Sequence, residues 1–316
     1  MIHNRLFIEI YNNSFYLSEK ISLTRYNGKV LLFGEYSVIL NSPAFAIPVN
    51  NYFSEWQVSD TSNLSNENLK QLCDYLLEKQ EDFGQFLNLE SLKSDLANGL
   101  YLHTNIPEGC GVGSSGALCA AVLDRFKTNT VIDLSNEDIR SFLAKMECYF
   151  HGTSSGLDPM VSYFNKPILF NSDKSLSLLT EINSFHPEID VFLYDSGSTR
   201  RTDVLVKIFQ EKLKDNSFKL NVESDLIPLV GKLIDSWVDQ RNEIMVLLKE
   251  ISSWQLLNMS EFIPEHVLAI WQQIFDNQDI SMKLCGAGGG GFFLVFAKKT
   301  ISIPKNIQHQ LIKISL

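Results

Sequence analysis

The alternation of apolar and polar positions divides the chain into strand-like and helix-like stretches before any chemistry is considered. Residues 1–22 alternate weakly, with Leu6, Ile8 and Ile10 followed by Phe15 and Leu17. They read as an edge hairpin turning at Asn12-Asn13, or as a loosely attached extension. KVLLFGEYSVIL, residues 29–40, reads as two strands, 29–33 and 36–40, on either side of Gly34-Glu35. A turn at 41–43 leads to an extended apolar run over 44–50, and 53–58 alternates again as a strand. After a polar loop over 59–67, Leu69, Leu72, Tyr75 and Leu76 fall on one face of a helix predicted over 68–83. Residues 100–104 are extended, and 117–123 have the composition of a buried helix start. The spacing of Ile139, Phe142, Leu143 and Met146 predicts a helix over 137–150, with Glu147 near its end. Ser135 is its expected cap, and Asp138 three residues on completes an approximate capping box.

HGTSSGLDP, residues 151–159, breaks that helix. Strands are expected at 167–170 and 190–194. Helical spacing returns over 204–213, 225–248 and 264–277, and two strands, 282–285 and 292–296, close the pattern around a second glycine loop. The polar stretch 173–188 marks the change from mixed α/β to helix-rich, so two domains are expected, 1–180 and 181–316. A chain of 316 residues is long enough for two proper cores.

Charge and composition narrow the function. The net charge of −10 is wrong for nonspecific nucleic-acid binding, and an acidic protein that binds an anion must concentrate positive charge locally. Five scattered cysteines without a CxxC pair point to reduced thiols, not to a disulfide framework or a zinc site. No apolar run approaches a membrane span, and the first residues lack the apolar core of a signal peptide. The expectations are a cytoplasmic protein with a small-molecule substrate, no nucleic-acid partner and no membrane; a homodimer is compatible with the sequence.

The stretch with most chemical content is NIPEGCGVGSSGALCAA, residues 105–121. It follows an extended run, turns through Pro107 and Gly109, passes Gly111 and Gly113, and reaches Ser114, Ser115 and Gly116. Glycines let backbone N–H groups approach an anion, and a helix opening at the serines aims its free N–H groups at the same point. The serine hydroxyls add donors to phosphate and ligands for Mg²⁺. With no Lys after the glycines this is not a Walker loop, and a plain glycine-rich turn capping a core helix is the bland alternative. Three further residues are ambiguous by themselves. Lys29 at the start of a strand is ordinarily solvated, Glu147 could be a solvated charge at a helix end, and Asp158 could simply fix a turn.

Taken together, several separated stretches resemble the GHMP small-molecule kinases. GKVLLFGEY (28–36) resembles the first motif of that superfamily, IPEGCGVGSSGAL (106–118) the second, phosphate-binding motif, and KLCGAGGGGFF (283–293) the third. HGTSSGLDPMVS (151–162) is similar to the segment that carries the catalytic aspartate in mevalonate kinases, and DSGSTRRT (195–202) is similar to another segment of theirs. The resemblance runs from about residue 28 to about residue 297. It implies an α+β, two-domain fold, ribosomal-S5-like at the N-terminus and ferredoxin-like at the C-terminus, with ATP and the acceptor meeting in the cleft between the domains. It also implies ATP- and Mg²⁺-dependent phosphorylation of a small hydroxy acid.

On this resemblance Pro107, Gly109, Gly111, Gly113, Ser114, Ser115 and Gly116 hold the ATP phosphates. Glu147, eleven residues before Asp158, binds Mg²⁺ with Ser114 or Ser115, and Asp158 is the general base. Lys29 neutralises charge at the transferred phosphoryl group. Glu35, Tyr36, Gly288 and Arg200 belong to the acceptor side, Arg200 as the fork that grips a carboxylate, with Arg201 not separable from it. Two departures bear on the acceptor: Tyr36 stands where a His is common, and Pro159 where mevalonate kinases more often carry Asn. The acceptor implied first is mevalonate. Phosphomevalonate, whose kinases also show Gly-Glu-Tyr, and homoserine or a sugar are the alternatives within the superfamily. A catalytically silent nucleotide-binding regulator is the alternative from a different class.

Overall fold

The computed structural model describes residues 24–59, 67–179, 186–198 and 202–314. The expected hairpin over 1–22 lies outside them, as do Arg200 and Arg201. The described residues form two compact units. One takes those within 1–28, 52–106 and 114–165, the other those of 29–51, 107–113 and 166 onward.

In the first unit, strand β3 (Leu100–Thr104) pairs antiparallel with the second half of the long strand β2 (Ala44–Val58), Trp56 opposite Leu102. Helices α1 (Glu67–Glu78) and α2 (Leu89–Ala97) precede β3. Three helices then pack on one another: α3 (Ser114–Phe126), α4 (Asn136–His151) and α5 (Leu157–Phe164). Their buried faces carry Leu118, Leu123, Leu143, Met146, Met160 and Val161. The first turn of α4 carries the capping box read from the sequence. Asp138 N–H donates to Ser135 Oγ at 3.2 Å, and Ser135 N–H donates to Asp138 Oδ2 at 3.2 Å.

The second unit holds a four-stranded antiparallel sheet in the order β7–β8–β6–β9, built from β6 (Ile189–Asp195), β7 (Ile280–Leu284), β8 (Phe292–Lys298) and β9 (Leu311–Lys313). The register sets Leu193 opposite Leu294 and Met282 opposite Val295. Short strands β4 (Ile168–Phe170) and β5 (Leu176–Leu178) pair in turn, with β4 also pairing the first half of β2. Helices α6 (Thr202–Lys212), α7 (Asn216–Asn221), α8 (Ile227–Val238), α9 (Ile244–Asn258) and α10 (Glu265–Phe275) complete the unit, α9 and α10 packing on β7. Phe33, Trp237 and Phe296 meet in its core at ring-centroid distances of 5.7–6.1 Å.

Three sequence expectations change. Strand β1 spans Arg25–Phe33, but 36–40 is not a strand. Tyr36 takes a positive φ of 62°, and Ser37–Leu40 forms a 3-10 turn. Val38 N–H bonds back to Gly34 O at 3.2 Å, so the backbone donors here close a turn instead of a ladder. The runs 44–50 and 53–58 belong to one continuous strand, because the polar Asn50-Asn51 pair continues the extended backbone. The helix expected over 225–248 is two, α8 and α9, separated by a polar segment in which Gln240 turns left-handed at φ 55°.

Candidate active site

The loop 105–113 leads from β3 to α3. Gly109, Gly111 and Gly113 all lie at positive φ, 71°, 89° and 77°. Alternate left-handed positions of this kind turn successive backbone N–H groups towards one side, an arrangement suited to anions. The loop is braced from below by β1, where Lys29 N–H donates to Val112 O at 2.9 Å. A Cβ at Gly113 would lie 3.0 Å from Cγ of Lys29. Lys29 itself is buried, against the ordinary expectation for a lysine on a strand. The residue after Gly113 opens α3, as read from the sequence.

Within the first unit, α3, α4 and α5 bring together the carboxylates singled out above. Glu147 is 4% exposed, so it is not a solvated charge at a helix end. Its Oε1 accepts from Ser115 Oγ at 3.0 Å and its Oε2 from Ser154 Oγ at 2.5 Å. Ser115 Oγ also meets His151 Nε2 at 3.0 Å. A hydroxyl carries one proton, so with that proton on Glu147 the imidazole is the donor in the second bond. Burial, together with the charges of Glu147 and Cys148, holds the thiol of Cys119 well above its ordinary pKa. Cys119 therefore stays a protonated core residue.

Asp158 lies in the first turn of α5, a helix start and not merely a turn after a break. The close approach of α3 to α5 needs Gly116, where a Cβ would stand 2.9 Å from the carbonyl carbon of Asp158 and 3.0 Å from its Cβ. Any side chain at 116 pushes Asp158 away. The donor set of the first unit, one buried carboxylate flanked by serine hydroxyls, consists of hard oxygens and fits Mg²⁺, which shares one or two protein carboxylates with substrate phosphates.

In the second unit, Glu35 and Tyr36 follow β1, and both are committed to the third glycine-rich stretch. Glu35 forms a buried ion pair with Lys283 of β7, each side chain 1% exposed. Lys283 Nζ also donates to Leu284 O at 2.8 Å. Burial raises the pKa of Glu35, while Lys283 and, more weakly, Lys29 pull it down. Oε2 of Glu35 is buried with no hydrogen-bond partner. Tyr36 Oη donates to Ala287 O at 2.6 Å, and its ring packs on Phe209 and Phe262 at 4.6 and 5.1 Å. Gly288 sits where a Cβ would meet Phe262 O at 2.6 Å, and Gly291 where one would meet Cα of Cys110 in the phosphate-type loop at 2.8 Å. Lys283 lies within the third motif, and the motif by itself assigns it no part. The signal was there: a lysine inside the apolar strand ISMKL needs a buried partner. Ser154 and His151, in the segment 151–159, carry no such signal and are brought to Glu147 and Ser115 by the fold.

Residues 69–166 match the model of the GHMP kinases N terminal domain. That stretch carries the GHMP kinase N-terminal domain. Mevalonate kinase of Pyrococcus horikoshii is 24% identical to this chain over 308 residues, covering 85% of this chain and 86% of the relative. Among solved structures, L. major mevalonate kinase in complex with R-mevalonate superposes with a TM-score of 0.62 at 18% identity, over 93% of this chain and 96% of the other. Streptococcus pneumoniae phosphomevalonate kinase in complex with phosphomevalonate and AMPPNP gives 0.60 at 15%, over 87% and 91%. At such identities the structural likeness establishes the GHMP kinase fold of this chain. No helix among the described residues is long and apolar enough to cross a membrane.

Proposed function

We propose that this protein transfers the γ-phosphoryl group of ATP to the hydroxyl of mevalonate. The observation that carries the reading is the pair of carboxylates on α4 and α5, Glu147 buried with both oxygens held and Asp158 at the next helix start. They occur in a chain that matches mevalonate kinases over most of its length.

Phosphoryl transfer asks a protein mainly for positioning and for neutralisation of charge. The N–H groups of 109–113 and the open end of α3, with Ser114, would bind the phosphates. Glu147 and a hydroxyl of Ser114 or Ser115 would hold Mg²⁺, which when bound neutralises phosphate charge. Asp158 would accept the proton of the acceptor hydroxyl as the new O–P bond forms. Lys29 would place a positive charge at the transferred group, and Arg200 would grip the acceptor carboxylate. Tyr36 packs as a support of the loop 286–291, and its hydroxyl serves that loop.

Phosphomevalonate is the second acceptor to test, because Tyr36 fills the place where a His is common in the superfamily. ADP release is measured with mevalonate, phosphomevalonate, homoserine and galactose in turn. The expected result is the highest kcat/KM with mevalonate. Preference for phosphomevalonate moves the chain to that branch, and ATP binding without acceptor-dependent turnover removes the enzymatic reading.

A further inference from the structure

Ser154 stands in the loop between the two carboxylate-bearing helices and takes no part in the reaction as described. Its hydroxyl makes two bonds. It donates to Oε2 of Glu147 at 2.5 Å and accepts the N–H of Gly156 at 2.9 Å. Ser115 donates to the other oxygen of the same carboxylate. The last torsion of a glutamate is soft and broad. A carboxylate held at both oxygens by hydroxyls from two different segments cannot turn about it without breaking a bond.

The loop is fastened independently of Ser154. Arg140 Nη1 donates to Ser155 O at 2.7 Å. Gly156, left-handed at φ 76°, lies so close to α4 that a Cβ would stand 2.6 Å from Arg140 O. Gly156 is the cap residue of α5, and Asp158 comes two residues later. The path from Glu147 through the Ser154 hydroxyl to the Gly156 amide therefore ends at the start of the helix that carries Asp158.

We propose that Ser154 is a positioning residue. It fixes the orientation of the Glu147 carboxylate for Mg²⁺ and ties that orientation to the helix start bearing Asp158. The proposal rests on the reading of Glu147 as a metal ligand, and the experiment separates the two.

Mn²⁺ is titrated into the full chain saturated with ADP and followed by electron paramagnetic resonance, for the parent, Ser154→Ala, Ser154→Thr, Ser154→Cys and Glu147→Gln. Ser154 is half-buried on a loop that Arg140 still fastens, so the variants keep the fold, which circular dichroism checks. Loss of one hydrogen bond to a charged group predicts an apparent Mn²⁺ Kd about tenfold higher in Ser154→Ala. Ser154→Cys, with a weak S–H donor in nearly the same shape, moves in the same direction. Ser154→Thr keeps the hydroxyl and restores the parent value. The KM for mevalonate stays within about twofold, because the lost bond serves the metal side. Parent-like Mn²⁺ affinity in Ser154→Ala, with weak binding in Glu147→Gln, overturns the role of Ser154 alone. Parent-like affinity in both overturns the metal reading of Glu147 and the proposal with it. A Ser154→Ala defect that Thr does not repair assigns the effect to packing and also overturns the proposal.

Discussion

At the scale of single residues, side chains that look alike in sequence have separate parts. Glu147 and Asp158 are both carboxylates on neighbouring helices, yet one is buried and held at both oxygens and the other lies in the first turn of a short helix. A general base acts in the transition state, so its loss lowers kcat and leaves ground-state affinity nearly intact. For Asp158→Asn we expect kcat to fall by about 10²-fold or more, with the KM values for ATP and acceptor little changed. Steady-state kinetics decide it, and nearly full turnover in that variant places the base elsewhere. Glu35 and Lys283 make a second residue-scale prediction. Removing one partner of a buried pair strands the other charge, at a cost of about 3–5 kcal/mol. Lys283→Met should therefore lower the midpoint of urea unfolding sharply, and adding Glu35→Gln should recover a large part of the loss. Equal or greater loss in the double variant means that the two side chains do not act as a pair.

At the scale of elements, tight contacts are made where the sequence supplies a small or capped position. Helix α4 begins at its capping box as the local pattern requires, whereas the turn after β1 overrides the apolar run over 36–40 that reads as a strand. A contact of a different kind, made by a buried histidine, lies just before β6. His186 Nδ1 accepts from Glu188 N–H at 3.3 Å, and its Nε2 meets Arg241 O, beyond the end of α8, at 3.2 Å. The neutral ring with its proton on Nε2 satisfies both bonds, and a second proton on Nδ1 would face an N–H donor. Burial holds the folded pKa below the ordinary 6.5, although the Arg241 carbonyl and Glu188 pull it up. The unfolded chain then takes up the proton first, so this stability is full above about pH 7 and is lost as pH falls from 6.5 towards the folded value. Thermal midpoints measured from pH 8 to 5.5 should fall less steeply in His186→Gln than in the parent, since the amide keeps a donor to Arg241 O and does not titrate. Identical slopes in the two proteins remove His186 as a source of the pH dependence.

At the scale of the whole molecule, the legible part of the sequence was the order of its glycine-rich stretches and the eleven-residue spacing from Glu147 to Asp158. Both are local patterns, and local patterns survive in one dimension. Partners far apart in the chain were not legible: Lys283 meets Glu35 from 248 positions away. The packing of 29–51 and 107–113 with the residues from 166 onward likewise rests on long-range pairing that no window of sequence shows. That packing bears on how a nucleotide stabilises the fold, because the loop 107–113 is held by Lys29 below it and by Gly291 against Cys110. A ligand at 100 times its Kd stabilises the native state by about 2.7 kcal/mol, so ADP with Mg²⁺ should raise the thermal midpoint of the parent. In Gly113→Val, a β-branched residue is forced to φ 77° with its Cβ 3.0 Å from Lys29, and the loop must move; the nucleotide-induced rise should disappear. Gly197→Ala is the control, since it is also left-handed, at φ 65°, with no atom within 4 Å of an added Cβ, and lies outside the phosphate-type loop. It should cost only the left-handed strain of about 1–2 kcal/mol and keep the rise. A folded Gly113→Val protein that keeps the full nucleotide shift would show that the phosphates bind somewhere other than this loop.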